Sequence, residues 1–464
     1  MAFDPKLAEI RFGTGLARRI PGPDSVDQML ERLTGPDLIA RDYPIETFPA
    51  FQKRIIEARE TGKAYRQAKN AANAPELAKI HDRVKQDARR AQANWMLQVL
   101  GRRSYTQDGF RERLIAFWTD HFTVIGKGAV MRRVAQPVAE TFLRPNMTGH
   151  YADLLVAGVT NPGMVNYLDQ QFSVGPNAPA RAKMPPARGL NENLAREVLE
   201  LHTLGVDAPY TQKDVRELAE LLTGLGIDAD GAQVFRENWA EPGSEMVLSQ
   251  TYGGDPARMD HIRAVLADLA VHPATARHLS RKLAVHFLGD RPDPAVVEAM
   301  ERTWRDTRGH LLSVYRAMLT HPNAWTPERE NVKPPFDFIS SALRVFAADP
   351  KPFKGKPNDV EQRIRKHFLK PLQRMGQPWE MPIGPDGWPE QDDAWVTPQG
   401  LATRMEWALE TPQVLLNGLP DPREFVEMAL GPNPPEAVRF AAKAAESRAE
   451  GIALVLISPA FQRR

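Results

Sequence analysis

Residues 189–226 read GLNENLAREVLELHTLGVDAPYTQKDVRELAELLTGLG, and this stretch decides the fold class. On a wheel of 3.6 residues per turn, Leu194, Ala195, Val198, Leu199 and Leu201 share one broad apolar face. Asn193, Glu197 and Glu200 fall on the other side, and Arg196 can pair with Glu200 one turn on. Gly205 stands where a helix end needs a left-handed residue. Thr211 then offers an N-cap, with Asp214 at N3 making a near capping box. Val215, Leu218, Leu222 and Leu225 form the next stripe. The stretch predicts two amphipathic helices joined by a capped turn.

It is also the part of the chain densest in carboxylate, amide and histidine side chains. His202 lies in the apolar face and in the last helical turn. Two readings fit: a core histidine bonded to backbone carbonyls, or a ligand or general base facing a pocket within the helical core. Glu197 and Glu200 form either a solvated, salt-bridged face or part of that same site. Their E-x-x-E spacing, with a histidine two residues on, is not the E-x-x-H of di-iron bundles. The cofactor is therefore left unknown, with a divalent metal as the one candidate.

Outward from this stretch, the 464 residues suffice for two or three lobes with sizeable cores. Sixty Lys and Arg against 58 Asp and Glu leave a net charge of +2, which gives no footprint for nucleic acid. The absence of cysteine removes disulfides, thiolate nucleophiles and Cys-based zinc sites together. The N-terminus has no apolar core of a signal peptide, which points to the cytoplasm, or to export in the company of a partner. No apolar run approaches the length of a membrane span.

Upstream, RFGTG at 11–15 is a glycine-broken turn too short for a phosphate loop. Asp24 or Ser25 caps a helix over 26–33, and residues 51–100 predict one long solvated helix or a pair. Tyr105-Thr106-Gln107 echoes Tyr210-Thr211-Gln212, which suggests a reused helix-start device. Beyond it Phe110, Leu114, Phe117, Trp118 and Phe122 make an apolar stripe with His121 inside. Asn161-Pro162, His321-Pro322 and Ser458-Pro459 punctuate helix ends. Asp169 opens a Pro-rich basic loop over 169–190, where Arg188, like Arg144 earlier, is a candidate for meeting an anion, with Arg181 and Lys183 nearby.

Downstream, alternation in 233–255 predicts a small hairpin, and four helices follow over 261–269, 275–287, 294–307 and 311–319. Residues 347–398 read mostly as loop. Trp379, Trp388 and Trp395 stand there among prolines and acids, either as an aromatic surface for stacking sugars or bases or as a plug for a lobe. The expected organisation is a helical core over 1–335 and a C-terminal helical segment over 336–464 packed on it.

The central block, with RFGTG, FWTDHF at 117–122, NYLDQQFSVGPN at 166–177, YGGD at 252–255, HPATARHLSRKLAVHF at 272–287 and GPDGWP at 384–389, closely resembles the bacterial domain-of-unknown-function family 1800. The pieces occur in the family's order over nearly the whole chain. The resemblance implies a mainly α protein with no settled activity. Genes of this family often neighbour those of a sulfatase-like family (domain of unknown function 1501), which implies a partner. Relatives usually carry His-Glu-Pro-Gly where this chain has Ala240-Glu241-Pro242-Gly243, and many carry an export signal.

The expectation is thus a mainly α protein with long Pro-rich loops and at most a small β-hairpin. Two functions are open. One is a hydrolase-like or metal-assisted enzyme with a pocket beside the 190–204 helix, drawing on His121, Asp169, Glu197, Glu200 and His202. The other is a non-enzymatic binding or assembly protein for a sulfatase-like partner or a polymer, using the tryptophan loop. No G-x-S-x-G, H-E-x-x-H or P-loop decides between them.

Overall fold

Apolar stripes at helical spacing dominate the chain, and helices dominate the structure, a computed structural model that describes residues 3–185, 188–349 and 353–464. The fold is mainly α. Two hydrophobic cores organise it, one built from residues between Leu7 and Trp325 and the other from the C-terminal helices with Phe336 to Phe461. The helix Ala74–Tyr105 serves both. Ala88 and Trp95 pack into the first core, while Ala93, Met96, Leu97 and Leu100, on the opposite face, pack into the second. Its partner Phe48–Gln67 completes the pair expected for 51–100.

The RFGTG turn is a clamp between the cores. Arg344 donates to the carbonyls of Gly15 (2.7 Å) and Thr106 (2.9 Å) and pairs with Glu9 (2.8 Å). A Cβ on Gly109 would stand 2.9 Å from Gly13 Cα, so the glycines allow the backbones to touch.

The capped turn forms as its residues dictate. Thr211 and Asp214 make both arms of a capping box ahead of the helix Gln212–Leu221. The first helix departs from a regular wheel: Asn193–Glu197 is α, and Val198–His202 widens into a π turn. Leu225 leaves the helical stripe altogether. Gly224, at φ +85, breaks the helix, and Leu225–Ile227 becomes a strand paired antiparallel with Gln233–Phe235. The hairpin expected in 233–255 is present as Gly243–Val247 with Gln250–Gly254, so there are two small strand pairs rather than one.

The helices Met259–Val271, Pro273–Leu288, Pro294–Asp306 and Leu311–Thr320 match the four expected downstream. Asn161, His321 and Ser458 each cap a helix that begins at the following proline. Two readings change. Residues 347–398 are loop over more than half their length but not throughout: Pro357–Ile364, Arg365–Leu369 and Lys370–Arg374 run on as helix, because Ile364, Phe368 and Leu372 fall on one face and are buried in the second core. The Tyr-Thr-Gln echo is not a structural repeat either. Thr211 is an N-cap, whereas Thr106 ends the long helix and Asp108 caps the next.

Candidate functional site

The helix Gly109–His121, started by the Asp108 side chain, separates two unlike environments. On one side lie the histidines. The His121 and His202 rings are 5.4 Å apart and edge to face, with Phe122 5.0 Å from His202. Tyr151 donates its hydroxyl proton to the His202 carbonyl and stands 3.2 Å from His121 Nε2. With that proton committed, the second contact is made when His121 Nε2 carries the ring hydrogen. Among the described residues neither ring nitrogen of His202 has a hydrogen-bond partner. Burial pushes His121 well below the ordinary histidine range and His202 down to about 3, so both rings are neutral at pH 7.

The other expected site residues do not join this pair. Asp169 is half exposed, sits in the left-handed region at φ 58 and pairs with Lys127. Glu200 pairs with Arg196 at 3.3 Å. Glu197 is half-buried, and burial, then Glu200 and Asp386 beside it, push its carboxyl up to about 7. Arg144 is committed to Asp37 (2.5 Å) and to Glu112. Burial works against its charge, but those carboxylates outweigh burial and raise it. Arg188 is exposed and lies over the rings of Phe172 and Trp239, at 5.5 and 5.9 Å. Pro186 and Ala187 of that basic loop lie outside the described residues. Glu241, in the Ala240-Glu241-Pro242-Gly243 run, is buried and accepts from the Asn177 backbone (2.8 Å) and side chain (2.5 Å), tying that loop down.

On the other side of the helix is a cavity of about 210 Å³, set between the two cores. Phe117 and Asp120 line it from the helix, Phe336 from the second core, and Trp379, Trp388 and Trp395 from the loop that the sequence singled out. None of its lining residues comes from 190–204, so this pocket does not lie beside the signature helix. The tryptophans turn inward. Trp395 is buried, Trp388 sits 6.3 Å from it, and Trp379 stacks on Phe336 at 4.8 Å. They wall a cavity instead of presenting an aromatic surface to solvent.

Asp120 is the residue that sequence reasoning missed. Its carboxylate accepts from the Trp388 backbone N–H at 3.0 Å, and a Cβ on Gly387 would collide with it at 2.7 Å, so the loop is folded directly onto it. Burial outweighs that hydrogen bond and the nearby Lys282, and pushes the carboxyl up to about 7. Lys282 also lines up with Glu390 at 2.9 Å. A second cavity carboxyl, Glu380, accepts from Gln92 (2.6 Å) and is likewise pushed up to about 7, chiefly by burial. The available signal was position: an aspartate in the last turn of a helix opposes the dipole and needs a reason to be there.

Among the described residues no group of three or more histidine, aspartate and glutamate side chains is placed to hold a metal ion. The candidate divalent metal therefore has no ready donor set. No helix among them is long and apolar enough to cross a membrane. Comparison with curated proteins and with solved structures gives no match. One family model matches, that of the proteins of unknown function DUF1800, and it covers residues 18–463. The capped turn and the tryptophan loop both fall within that match, and the chain belongs to this family.

Proposed function

We propose that the protein is a hydrolase-like enzyme whose acid–base work falls on Asp120 in the cavity between the cores. One observation carries this reading: a carboxyl raised to about 7 stands at the wall of a half-open, aromatic-lined cleft. A group poised near neutrality can take a proton from water and return it to a leaving group in one cycle. Perturbed carboxyls gathered in a cleft between lobes support such a site. The volume suits a small substrate or one end of a larger one. The flat walls of Trp388, Trp395 and Phe117 suit a ring or planar group. Glu380 is the second titratable candidate. His121 and His202 are assigned a structural role, as neutral rings holding the far side of the Asp120 helix in place. A binding or assembly protein for a sulfatase-like partner or a polymer calls for aromatic rings turned outward, and the inward rings favour the enzyme.

The test is a turnover screen with small chromogenic esters, glycosides, and phosphate and sulfate monoesters. It uses the wild type, Asp120→Asn and His202→Gln. One class is expected to turn over, with Asp120→Asn slower by about 10²- to 10⁴-fold, the usual worth of a general acid or base. His202→Gln is expected to stay close to wild type. Full activity in Asp120→Asn, or no turnover of any class, would overturn the reading.

A further inference from the structure

Arg113, Phe117 and Asp120 follow one another along the same helix. Arg113 and Asp120 are seven residues apart, about 10 Å along the axis. The cavity side of the helix therefore has an acidic end at Asp120 and another end near Arg113, and this second end is strongly cationic. Arg103 and Arg464 both line the cavity and both bond Asp337, Arg103 at 2.5 Å. Arg113 stands 3.9 Å from the same carboxylate. Lys333 lies just behind, its ammonium 4.0 Å from the Phe461 ring. All four cations are at most 5 % exposed. Three buried guanidiniums thus share the Asp337 carboxylate, with Lys333 buried close by. Glu112 favours the charge on Arg103 but is itself bound by Arg144.

Buried charge is normally matched, because a cation removed from water without a counter-charge is costly. Lysine can shed its proton, and burial with the surrounding guanidiniums does push Lys333 well below its usual range. Arginine has no such escape. A second sign of an unfilled site lies beside the guanidiniums. His286 lines the cavity, rests against Phe117 at 5.3 Å and accepts from Arg113 at its carbonyl, but its Nε2 is buried and has no partner. The Arg113 Nε is also buried and unpartnered.

We infer that this end of the cavity is a binding site for a tetrahedral oxyanion, a phosphate or sulfate group, held by Arg103, Arg464 and His286. Guanidinium forks and a ring N–H supply donors from several directions, which suits a group with several equivalent oxygens. The site stands on these groups alone. That the oxyanion is the substrate's handle, so that the substrate is a small phosphorylated or sulfated molecule, rests on the acid–base reading of Asp120.

The experiment uses the full chain and follows thermal unfolding and calorimetric binding in inorganic phosphate, sulfate, acetate and chloride at one ionic strength. Phosphate and sulfate are expected to raise the midpoint saturably and to bind one per chain, while acetate and chloride do neither. Phosphate without sulfate, or the reverse, identifies which group the site takes. Arg464→Gln is expected to weaken the anion by about tenfold or more, as the loss of a charge-assisted hydrogen bond implies. Asp120→Asn is expected to bind phosphate like the wild type, so a failed turnover screen and a failed anion site are told apart. His286→Leu leaves the Asp337 cluster whole and serves if Arg464→Gln does not fold. Equal midpoints in all four salts, or phosphate affinity unchanged in whichever of Arg464→Gln and His286→Leu folds, would overturn the proposal.

Discussion

Asp120 and His121 are consecutive on one helix and end in opposite surroundings. His121 faces the first core, where Trp118, Phe122, Tyr151 and His202 close around it. Asp120 faces a cavity, under a loop that comes from the other end of the chain. Both are shifted chiefly by burial, and in opposite directions: the histidine loses its charge, and the carboxyl is held near neutrality. The pair shows that a concentration of titratable residues in sequence is a poor guide to where chemistry can happen. What matters is whether a residue meets space that a ligand can enter.

The largest test of this contrast is packing. Trp118 is fully buried on the core side and donates its indole N–H to the Tyr315 hydroxyl at 2.8 Å. Trp118→Ala is expected to destabilise by about 3–5 kcal/mol, the usual range for a large core aromatic. Trp388 is half-buried at the cavity wall, and Trp388→Ala is expected to lose less than about half as much, since less apolar surface leaves water there. Urea unfolding followed by far-ultraviolet circular dichroism measures both. Equal losses would mean that the tryptophan loop is core and the cavity is not a site.

The same contrast explains what could be read from the sequence. The capping box at Thr211 and Asp214, the four helices after residue 258 and the proline-punctuated ends depend on local chemistry, and each was legible. The strand at Leu225–Ile227 was not, because its partner and the Gly224 break are tertiary matters. The helix from Pro357 was legible in principle through Ile364, Phe368 and Leu372, but the surrounding prolines and charges hid it. His121 and His202 were correctly placed in apolar faces, and their meeting across helices was only a guess. The cavity was legible only in its tryptophans. Asp120, Glu380 and Arg464, which also line it, are scattered over more than three hundred residues, and only folding brings them around one space.

Proton linkage is the intermediate test, and the two sides should respond with opposite sign. Asp120 has an ordinary value of 3.8 and a folded value of about 7. Between these the folded state keeps a proton that the unfolded chain has lost, so stability falls as pH rises through the window and stays reduced above it. Asp120→Asn can still accept from Trp388, and is expected to gain about 1–2 kcal/mol over wild type at pH 8, with no gain at pH 4, allowing for water in the cavity. His202 has an ordinary value of 6.5 and a folded value of about 3. Here the unfolded chain binds the proton first, so stability falls as pH falls through the window. His202→Gln is expected to flatten that acid limb by up to about 1.4 kcal/mol per pH unit. Urea midpoints taken from pH 4 to 8 would show both, and parallel profiles for the three proteins would break the comparison.

Asp169 gives the smallest effect and the sharpest distinction between a residue kept for chemistry and one kept for backbone. It was a candidate because it opens the basic loop close behind Tyr167. Its carboxylate pairs with Lys127 in a half-exposed position, and such pairs contribute about 0–1 kcal/mol and fade with salt. Its φ of 58 is the stronger constraint, since the left-handed region favours Asn, Asp and Gly over other residues. Asp169→Asn is therefore expected to change stability by less than about 1 kcal/mol and to leave turnover unchanged, because the αL residue is kept and only a screened charge is lost. Asp169→Val is expected to destabilise by about 1–3 kcal/mol, because a branched side chain does not tolerate that backbone. If Asp169→Asn abolished turnover while keeping its stability, the carboxylate would be needed for its charge. The active centre would then extend to the Lys127–Asp169 pair, which does not line the cavity at Asp120.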